Sequence, residues 1–385
     1  MTTQLVTATR ELRDIVPAWD VLTRQSLEPN VFYESWALLP ALEALAAKNP
    51  RVAVLLVWAD TAHSRLIGLF PLVQEQTYQK FPACHWLNWL HPHCPLGTPL
   101  VHQRHAAEAF QALFAWLRDH SGALAFSLNK VPAEGEFAHH LRLFAQQHGG
   151  LVNERDTWER ALLKAGASGE DYVSTHQRKK KLKEYSRLRR RLEDLGELEF
   201  QALLPGQNHG LSDWINDFLH LEERGWKGKA LTAMSCHQGE RDFAEDLIRN
   251  AAARGQLMML KMLLDGQTIA IKLNLTSATQ GSYALKIAYH EAYAAYSPGV
   301  LLELENIYRT LDDTPLAWMD SCAIPNHPMI NHLWAERRKM VNFHLSTPRA
   351  LSKPLLHTMQ LVKTAYQYYQ YRVKLRPSGR GYKCL

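Results

Sequence analysis

The sequence predicts an α/β fold built from two tandem halves that share one order of strands and helices. The length of 385 residues exceeds a usual domain of about 100–200 residues and suits two hydrophobic cores. Hydrophobic residues make up 46% of the chain and charged residues 21%, which is typical of a folded globular protein. The strongest observation is the repeat itself: strand, two helices, three strands, helix, strand, helix and strand occur twice.

The first half follows from the spacing of its apolar residues, which recur every three or four positions in helices and form short apolar runs in strands. A loop at residues 91–99 interrupts it with three prolines and a glycine, so it cannot be regular structure. After a short extended run, the predicted elements are helices at 14–25 and 34–47, strands at 52–59, 66–74 and 85–90, a helix at 104–120, a strand at 123–128, a helix at 136–147 and a strand from 151.

The second half repeats this order after a basic helix that ends at Gly196, a natural helix stop. Asp265-Gly266 between two apolar runs is a strong signal for a β-hairpin turn. The predicted elements are the basic helix at 171–195, a strand at 197–204, helices at 212–224 and 240–254, strands at 257–264, 267–275 and 282–289, a helix from 298, a strand at 316–321, a helix at 328–338 and a strand at 340–345.

The tail differs from both halves. Seven apolar residues spaced three or four apart form one stripe on a basic helix; they are Leu351, Leu355, Met359, Val362, Tyr366, Tyr369 and Val373. We expect this helix to pack on the protein body, with a membrane surface or a partner protein as alternatives. The predicted domains are therefore residues 1–165, 166–346 and a basic C-terminal helix and tail at 347–385.

The positive charge is local. The net charge is only +6, yet residues 178–191 hold nine basic residues against Glu184 alone, and eleven basic residues and no acid follow Glu336. A uniformly basic nucleic-acid binder would not show this distribution. The run at 178–191 covers more than one face of a helix, which favours a solvated surface. The alternatives are a few residues that face an anion, such as a nucleotide sugar, coenzyme phosphates or an acidic polysaccharide, and nucleic-acid binding.

The composition also indicates a compartment. The opening residues lack the basic and apolar stretches of a signal peptide, and no apolar run approaches the ~18 residues of a membrane-spanning helix. The five cysteines include no Cys-x-x-Cys pair, so neither a disulfide framework nor a zinc site is predicted. The histidines show no metal-binding spacing. We expect a cytoplasmic protein with free thiols and no metal.

Three segments of the second half carry the chemistry. The first, at 296–302, reads Tyr-Ser-Pro-Gly-Val-Leu-Leu and joins a strand to a helix. The second, at 320–334, begins Asp-Ser-Cys-Ala-Ile-Pro-Asn-His and ends at Trp334. The third, at 221–229, reads Leu-Glu-Glu-Arg-Gly-Trp-Lys-Gly-Lys.

Together with the strand order, the basic helix and Tyr289, these segments resemble the GNAT superfamily of acyltransferases. They resemble in particular the CelD/BcsL branch, associated with cellulose and exopolysaccharide production and related to the FemAB-like transferases with two GNAT-like halves. The resemblance covers nearly the whole chain and is best from 172 to 345. It implies two tandem GNAT-like domains, with acetyl-coenzyme A or another acyl-coenzyme A as co-substrate and a sugar or amino sugar as acceptor.

The resemblance also implies roles for residues. In GNAT enzymes the turn before the helix presents backbone N–H groups to the coenzyme pyrophosphate, and a helix N-terminus suits an anion. The coenzyme residues are then Ser297, Pro298, Gly299, Val300, Leu301 and Leu302. Trp334 stands where many GNAT enzymes have a tyrosine acid, and indole cannot serve as one. Asp320, His327 or Cys322 would then be the catalytic acid or base, although Asp320 and His327 are equally capable of only capping local structure.

The predicted activity is acyl transfer to the nitrogen or oxygen of a small acceptor, possible by positioning and backbone polarisation of a thioester. Two alternatives remain: a catalytically silent module that binds a polysaccharide-synthesis partner, and a FemAB-like transferase that uses aminoacyl-tRNA, whose backbone would suit the basic helix.

The acceptor is predicted to contact Lys272, Lys286, Tyr289 and Trp226. If residues 267–275 and 282–289 form a hairpin that turns near Thr279, Lys272 and Lys286 fall almost opposite each other. Like charges so placed are unfavourable unless an anion lies between them. The alternative is a different register in which each lysine reaches solvent or its own carboxylate.

Overall fold

The computed structural model describes residues 1–46, 49–78, 81–148, 152–225 and 233–347, and the single positions Pro354, Thr358, Leu361 and Tyr368. The strands are β1 (Thr2–Val6), β2 (Val52–Trp58), β3 (Leu66–Tyr78), β4 (Phe81–Asn88), β5 (Leu100–Val101), β6 (Ala125–Pro132), β7 (Val152–Lys164), β8 (Leu198–Leu203), β9 (Leu257–Leu264), β10 (Gln267–Thr276), β11 (Gly281–Tyr289), β12 (Trp318–Asp320) and β13 (Glu336–Ser346). The helices are α1 (Thr9–Asp14), α2 (Val16–Arg24), α3 (Ser35–Leu45), α4 (Ala106–Asp119), α5 (Glu136–Gln147), α6 (Gly169–His176), α7 (Lys179–Glu193), α8 (Leu211–Arg224), α9 (Gln238–Ala253), α10 (Pro298–Asp312) and α11 (Ile330–Leu333).

These strands form one sheet in the order β1-β2-β3-β4-β6-β13-β7-β12-β11-β10-β9-β8, with β5 paired to β3 outside this path. The pairs β4–β6 and β11–β12 are parallel, and the other pairs are antiparallel. At the centre, β13 of the second half pairs with β6 of the first, and β7 of the first pairs with β12 of the second. The last strand of each half therefore pairs with a strand of the other half. Helix α3 of the first half also packs against α9 of the second.

Local sequence explains the main elements of the second half. Every residue of β9 is buried, as its continuous apolar run predicts for a strand covered on both faces. The β9–β10 hairpin turns at Asp265 and Gly266, which both have positive φ (49° and 75°), as a type I′ turn requires. Helix α10 buries a stripe of apolar residues against the sheet; these are Leu301, Leu302, Leu304 and Ile307. The predicted α/β fold is confirmed.

Two predicted helices were wrong in extent. The basic helix is two helices, because the backbone is extended at Gln177 and Arg178. The Gln177 amide donates hydrogen bonds to the carbonyl oxygens of His332 and Leu333, at 2.8 and 3.2 Å, which holds the break in place. The helix predicted at 328–338 is only the short α11, since β13 already pairs with β7 from Glu336 onward.

The predicted domain limits remain predictions, and the two halves share one continuous sheet across residue 165. The predicted tail helix falls outside the described residues except at four positions. Within the part of the chain that the structure describes, no helix combines the length and the apolar character needed to cross a membrane.

Candidate functional site

The sheet opens between β11 and β12. These parallel strands pair only over Gly281–Tyr283 and Trp318–Asp320, whereas β11 stays paired with β10 as far as Tyr289. The chain leaves β12 sharply, with Cys322 in the left-handed region at φ 55°. The edge of β11 from 284 to 289 is therefore open toward the departing chain.

A cavity of about 490 Å³ fills this opening and is called the splay cavity here. All six residues at 284–289 line it, together with side chains of α8, β10, α10 and the segment after β12. The polar and charged lining residues are Glu222, Lys272, Lys286, Tyr289, Glu303, Ser321, Cys322 and His327. The cavity thus combines an open backbone edge with a dense set of hydrogen-bonding groups.

The N-terminus of α10 lies beside this cavity. Ser297 precedes the helix with φ 52° and does not cap it through its side chain, and Pro298 is the first helical residue. The N–H groups of Ser297 and Val300 donate to the carbonyl oxygens of Ala294 and Ser297, both at 3.0 Å, and Pro298 has no N–H. The N–H of Gly299 is therefore the one that remains for a ligand in this turn, where the helix dipole favours an anion. Gly299 lines the splay cavity. A Cβ at this glycine would lie 3.6 Å from Cδ1 of Tyr289, an ordinary contact distance.

The other predicted coenzyme residues divide by position. Ser297 and Val300 line a second cavity, about 730 Å³ in volume, between α7 and α10. Leu301 and Leu302 are buried in the core beneath the sheet. These two leucines anchor α10 in the core, and only the turn that precedes them is accessible to a ligand.

Asp320 is buried in an ion-pair cluster. Nε of Arg160 lies 2.7 Å from its Oδ1, and NH2 of Arg160 and NH1 of Arg338 donate to its Oδ2 at 2.7 and 2.8 Å. Burial by itself would raise the pKa of Asp320, but the two guanidinium groups hold the pKa below its usual range. The carboxylate joins β7, β12 and β13, so it is an anchor of the site and not a proton donor at neutral pH.

Cys322 and His327 both line the splay cavity. Burial, with the nearby Asp320 charge, raises the pKa of the Cys322 thiol well above its usual range, so the group stays a neutral thiol and a poor nucleophile at neutral pH. Burial lowers the pKa of His327; the Glu303 charge opposes and the Lys272 charge assists that shift. The His327 ring is therefore neutral at pH 7.

The hydrogen bonds of His327 define its tautomer. Nδ1 faces the backbone N–H groups of Met329 and Ile330, at 3.3 and 3.4 Å, and accepts from them. A neutral ring that accepts at Nδ1 carries its proton on Nε2. His327 is thus a hydrogen-bond donor in this arrangement, and not the base that a bare histidine in the sequence suggests.

The predicted lysine pair needs a correction. Lys272 is paired with Ile287, and Lys286 with Leu273, so the two side chains leave opposite faces of the hairpin. Lys272 Nζ lies 2.7 Å from Oε2 of Glu303, and Lys286 Nζ lies 3.3 Å from Oε1 of Glu222. Because a helix covers each face and supplies a carboxylate, no anion is needed between the lysines, although both line the splay cavity.

Sequence reasoning gave no role to the two carboxylates. Glu222 and Glu303 are fully buried, and each interrupts the apolar stripe of its helix, four residues after Phe218 and four before Ile307 respectively. A charged residue on a buried helix face is a detectable signal. The amide of Asn306 donates to Oε1 of Glu303 at 2.9 Å, which extends the polar cluster under the cavity.

Two tryptophans remain from the predicted set. Trp226 lies outside the described residues. Trp334 is 1% exposed, and its Nε1 has no hydrogen-bond partner among the described residues. Tyr289 lies on the lining of the splay cavity as predicted.

The first half has the equivalent opening, but it is closed. The parallel pair β4–β6 covers only His85–Leu87 and Ala125–Ser127. Beyond it, the Asn88 amide donates to the carbonyl oxygens of Gly97 and Asn129, at 2.8 and 2.9 Å. A Cβ at Gly97 would lie 2.1 Å from Nδ2 of Asn88, so the proline-rich loop is packed tightly into this opening.

Most of the residues that form this site lie in a segment that matches a known protein family. Residues 179–326 match the model of the acetyltransferase (GNAT) domain. The chain carries a GNAT acetyltransferase domain. The matched residues include β8 to β12, α10 and most of the splay cavity, and the predicted enzyme class, an acyltransferase, is confirmed. The finer resemblance to the CelD/BcsL branch stays a prediction.

Solved structures share the fold of most of the chain at low sequence identity. FemX aligns with a TM-score of 0.56 and 10% identity over 93% of this chain and 99% of its own. A conserved protein of unknown function from Bacteroides thetaiotaomicron gives 0.53 and 10% over 86% and 97%. The C-terminal domain of a putative lysylphosphatidylglycerol synthetase from Agrobacterium fabrum gives 0.53 and 10% over 92% and 97%. No curated protein matches the chain.

Proposed function

We propose that this protein transfers an acyl group from acyl-coenzyme A to an amine or hydroxyl group of a sugar or amino-sugar acceptor. The observation that supports the donor is the open edge of β11 beside the N-terminus of α10, both inside the matched GNAT domain. The amides and carbonyls of a strand suit the amide groups of the pantetheine arm. The first turn of α10 suits the diphosphate.

The residues around the splay cavity support the acceptor assignment. Lys272 and Lys286 each have a carboxylate partner, so the lining is rich in polar groups but balanced in charge. With Tyr289, they offer donors and acceptors to a neutral polar molecule such as a sugar. The lysine pair therefore no longer supports an anionic acceptor. An amino sugar with a free amine or hydroxyl fits the balanced lining.

Acyl transfer forms a bond from the acceptor nitrogen or oxygen to the acyl carbon, breaks the carbon–sulfur bond, and releases a proton and a thiolate. We assign acceptance of the proton to Glu222, whose Oε2 is held by the N–H of Met234 at 3.0 Å while Oε1 faces Lys286. The Nε2–H group of His327 is suited to stabilise the developing oxyanion. Positioning in the cavity supplies the remaining rate enhancement.

The test of the donor is thermal denaturation of the full chain with acetyl-coenzyme A. A ligand that binds only the folded state raises the free energy of unfolding by about 2.7 kcal/mol at about 100 times its Kd. We expect a rise in Tm that increases with coenzyme concentration, and release of free thiol when an amino-sugar panel is added. Unchanged Tm up to millimolar coenzyme would refute the proposed donor.

His327 provides a test of the catalytic assignment. Replacing it with alanine should lower kcat by about 10²–10³, the effect of losing one oxyanion donor. His327→Gln should recover part of this loss because its amide keeps an N–H donor, whereas a general base would not be restored by glutamine. The pKa of His327 lies below its usual range, so the ring is already neutral at pH 7. The wild-type kcat should therefore show no titration of His327 between pH 7 and 8. A rise in kcat across that range that disappears in the alanine variant would show that His327 acts as a base.

An aminoacyl-tRNA-dependent reaction of the FemAB type is the second candidate. The observation that favours it is the exposed row of cations on α7 away from both cavities, which includes Lys180, Lys183 and Arg187. Such a surface suits a phosphate backbone and would give binding that weakens steeply with salt. Salt-dependent tRNA binding without acetyl-coenzyme A binding would favour this reading.

A silent binding module is the third reading, favoured by the buried Trp334 in place of a tyrosine acid. It predicts coenzyme binding without thiol release for any acceptor, an outcome of the same experiment.

A further inference from the structure

The larger cavity of about 730 Å³, called the junction cavity here, lies outside the acyl-transfer site. It is enclosed by the α6–α7 break, the start of α10 and the segment that leads into β13. Helices α6 and α7 come before β8, the first strand of the second half, so they are additions to the repeated order. The basic run of the sequence thus reaches a cavity beside the site.

The junction cavity is cationic. Arg178, which directly precedes α7, and Lys181 in the first turn of α7 line one wall, and Arg337 lines the opposite wall. The Arg337 guanidinium donates to the backbone carbonyl oxygens of Asn331, Trp334, Ala335 and Glu336, and it has no ion-pair partner among the described residues. Glu184 is the one acidic lining residue, and it lies 2.9 Å from Lys181. Positive charge therefore remains for an anion.

The same cavity also has an apolar wall and unsatisfied polar groups. Tyr185, Leu188 and Val300 supply a surface suited to a planar ring. Nε1 of Trp334 and Oδ1 of Asn331, from two further lining residues, are buried and have no hydrogen-bond partner among the described residues. A buried donor and a buried acceptor without partners are costly unless a ligand satisfies them. The lining thus matches a heteroaromatic base attached to phosphate.

The two cavities meet at the N-terminus of α10. Pro328 and Met329 line both of them, while Ser297 lines the junction cavity and Gly299 the splay cavity. One elongated molecule with a central diphosphate can therefore bind with the diphosphate at the helix N-terminus and with one of its two ends in each cavity. Acyl-coenzyme A has this construction, with an acylated arm on one side of the diphosphate and a phosphorylated adenosine on the other.

We propose that the junction cavity binds the adenosine 3′-phosphate end of the coenzyme, with the base against Tyr185 and Val300 and the 3′-phosphate on Arg178 and Lys181. This inference rests on the proposed acyl-coenzyme A donor. It assigns the first turn of α7 as an element that selects the phosphorylated coenzyme over its dephosphorylated form. A phosphate monoester with about two negative charges is the chemistry that paired cations recognise best.

The test compares binding of coenzyme A and 3′-dephospho-coenzyme A to the full chain by calorimetry. Loss of charge-assisted hydrogen bonds worth about 1.5–3 kcal/mol predicts that the dephosphorylated form binds at least about tenfold more weakly. The double variant Arg178→Ala, Lys181→Ala should bind both forms with the same, weaker affinity. Adenosine 3′,5′-bisphosphate should compete with coenzyme A for the wild-type protein and much less for the double variant.

The control is Lys183→Ala with Arg187→Ala, which removes two exposed cations of the same helix that do not line the cavity. This variant should keep the preference for the phosphorylated coenzyme. Equal binding of both coenzymes to the wild type, or an undiminished preference in the Arg178 and Lys181 variant, would overturn the inference and leave the proposed donor standing. Absence of binding by either coenzyme would overturn both.

Discussion

Replacement of Gly299 by glutamate is expected to abolish binding of acyl-coenzyme A while the protein stays folded. Gly299 is the second residue of α10 and is buried on the lining of the splay cavity. A Cβ there meets Tyr289, Ile287 and Met329 at 3.6, 3.9 and 3.9 Å, which are ordinary contact distances. The glutamate side chain would therefore extend along the cavity and place a carboxylate where the coenzyme phosphates approach.

The expected loss is at least about 100-fold in affinity, because like charges set against each other in a binding site cost several kcal/mol. An acidic residue in the first turn of a helix is itself favourable, so the fold should tolerate the change. Calorimetric titration with acetyl-coenzyme A measures the effect, and circular dichroism checks the fold. Gly299→Ala is the matched control, since its methyl group fits and should change the affinity little. Tight coenzyme binding by the glutamate variant would remove the assignment of this turn.

The second large effect is expected at Asp320. Asp320→Asn leaves the buried guanidinium of Arg160 and the partly buried guanidinium of Arg338 without their carboxylate, and breaking a buried ion pair in this way costs about 3–5 kcal/mol. Arg160 also donates to the carbonyl oxygen of Pro95 at 2.8 Å, so the cluster ties the closed loop of the first half to the second. Urea denaturation measures the loss as a fall in the free energy of unfolding.

The pH dependence of this variant follows from the pKa of Asp320, which is lower in the folded chain than in the unfolded one. The stabilisation is present above the unfolded value of about 3.9 and is lost as the pH falls through the folded value. The free energy of unfolding of Asp320→Asn should therefore fall less on acidification than that of the wild type.

A surface pair supplies the comparison for this prediction. Glu154 accepts from Arg142 at 2.6 Å, with both side chains more than a third exposed, and Glu154→Gln should cost less than about 1 kcal/mol. If Asp320→Asn cost no more than Glu154→Gln, the cluster would not anchor the two halves.

Much of the fold could be predicted because it depends on local patterns. Apolar runs bounded by turn residues predicted the strands β9 to β11. Asp265-Gly266 predicted the β9–β10 hairpin, because the positive φ that this turn requires is a local preference of these two residues. Ser297 and Pro298 marked the start of α10 for the same reason. The break between α6 and α7 was missed because the amide of Gln177 holds it through residues more than 150 positions away.

Sequence patterns were enough to predict the repeated α/β order, the turn that begins α10 and the acyltransferase class, because periodicity, turn chemistry and a family motif are properties of short segments. The pairing of each lysine with its carboxylate could not be read from such patterns, since one step of register moves a side chain to the other face of a sheet. The role of Asp320 also depends on the tertiary structure. Arg160 and Arg338 become neighbours of Asp320 only when the last strands of the two halves pair with each other. The hydrogen bonds of His327 are local, from the N–H groups two and three residues along the chain, and match the capping role that the sequence left open.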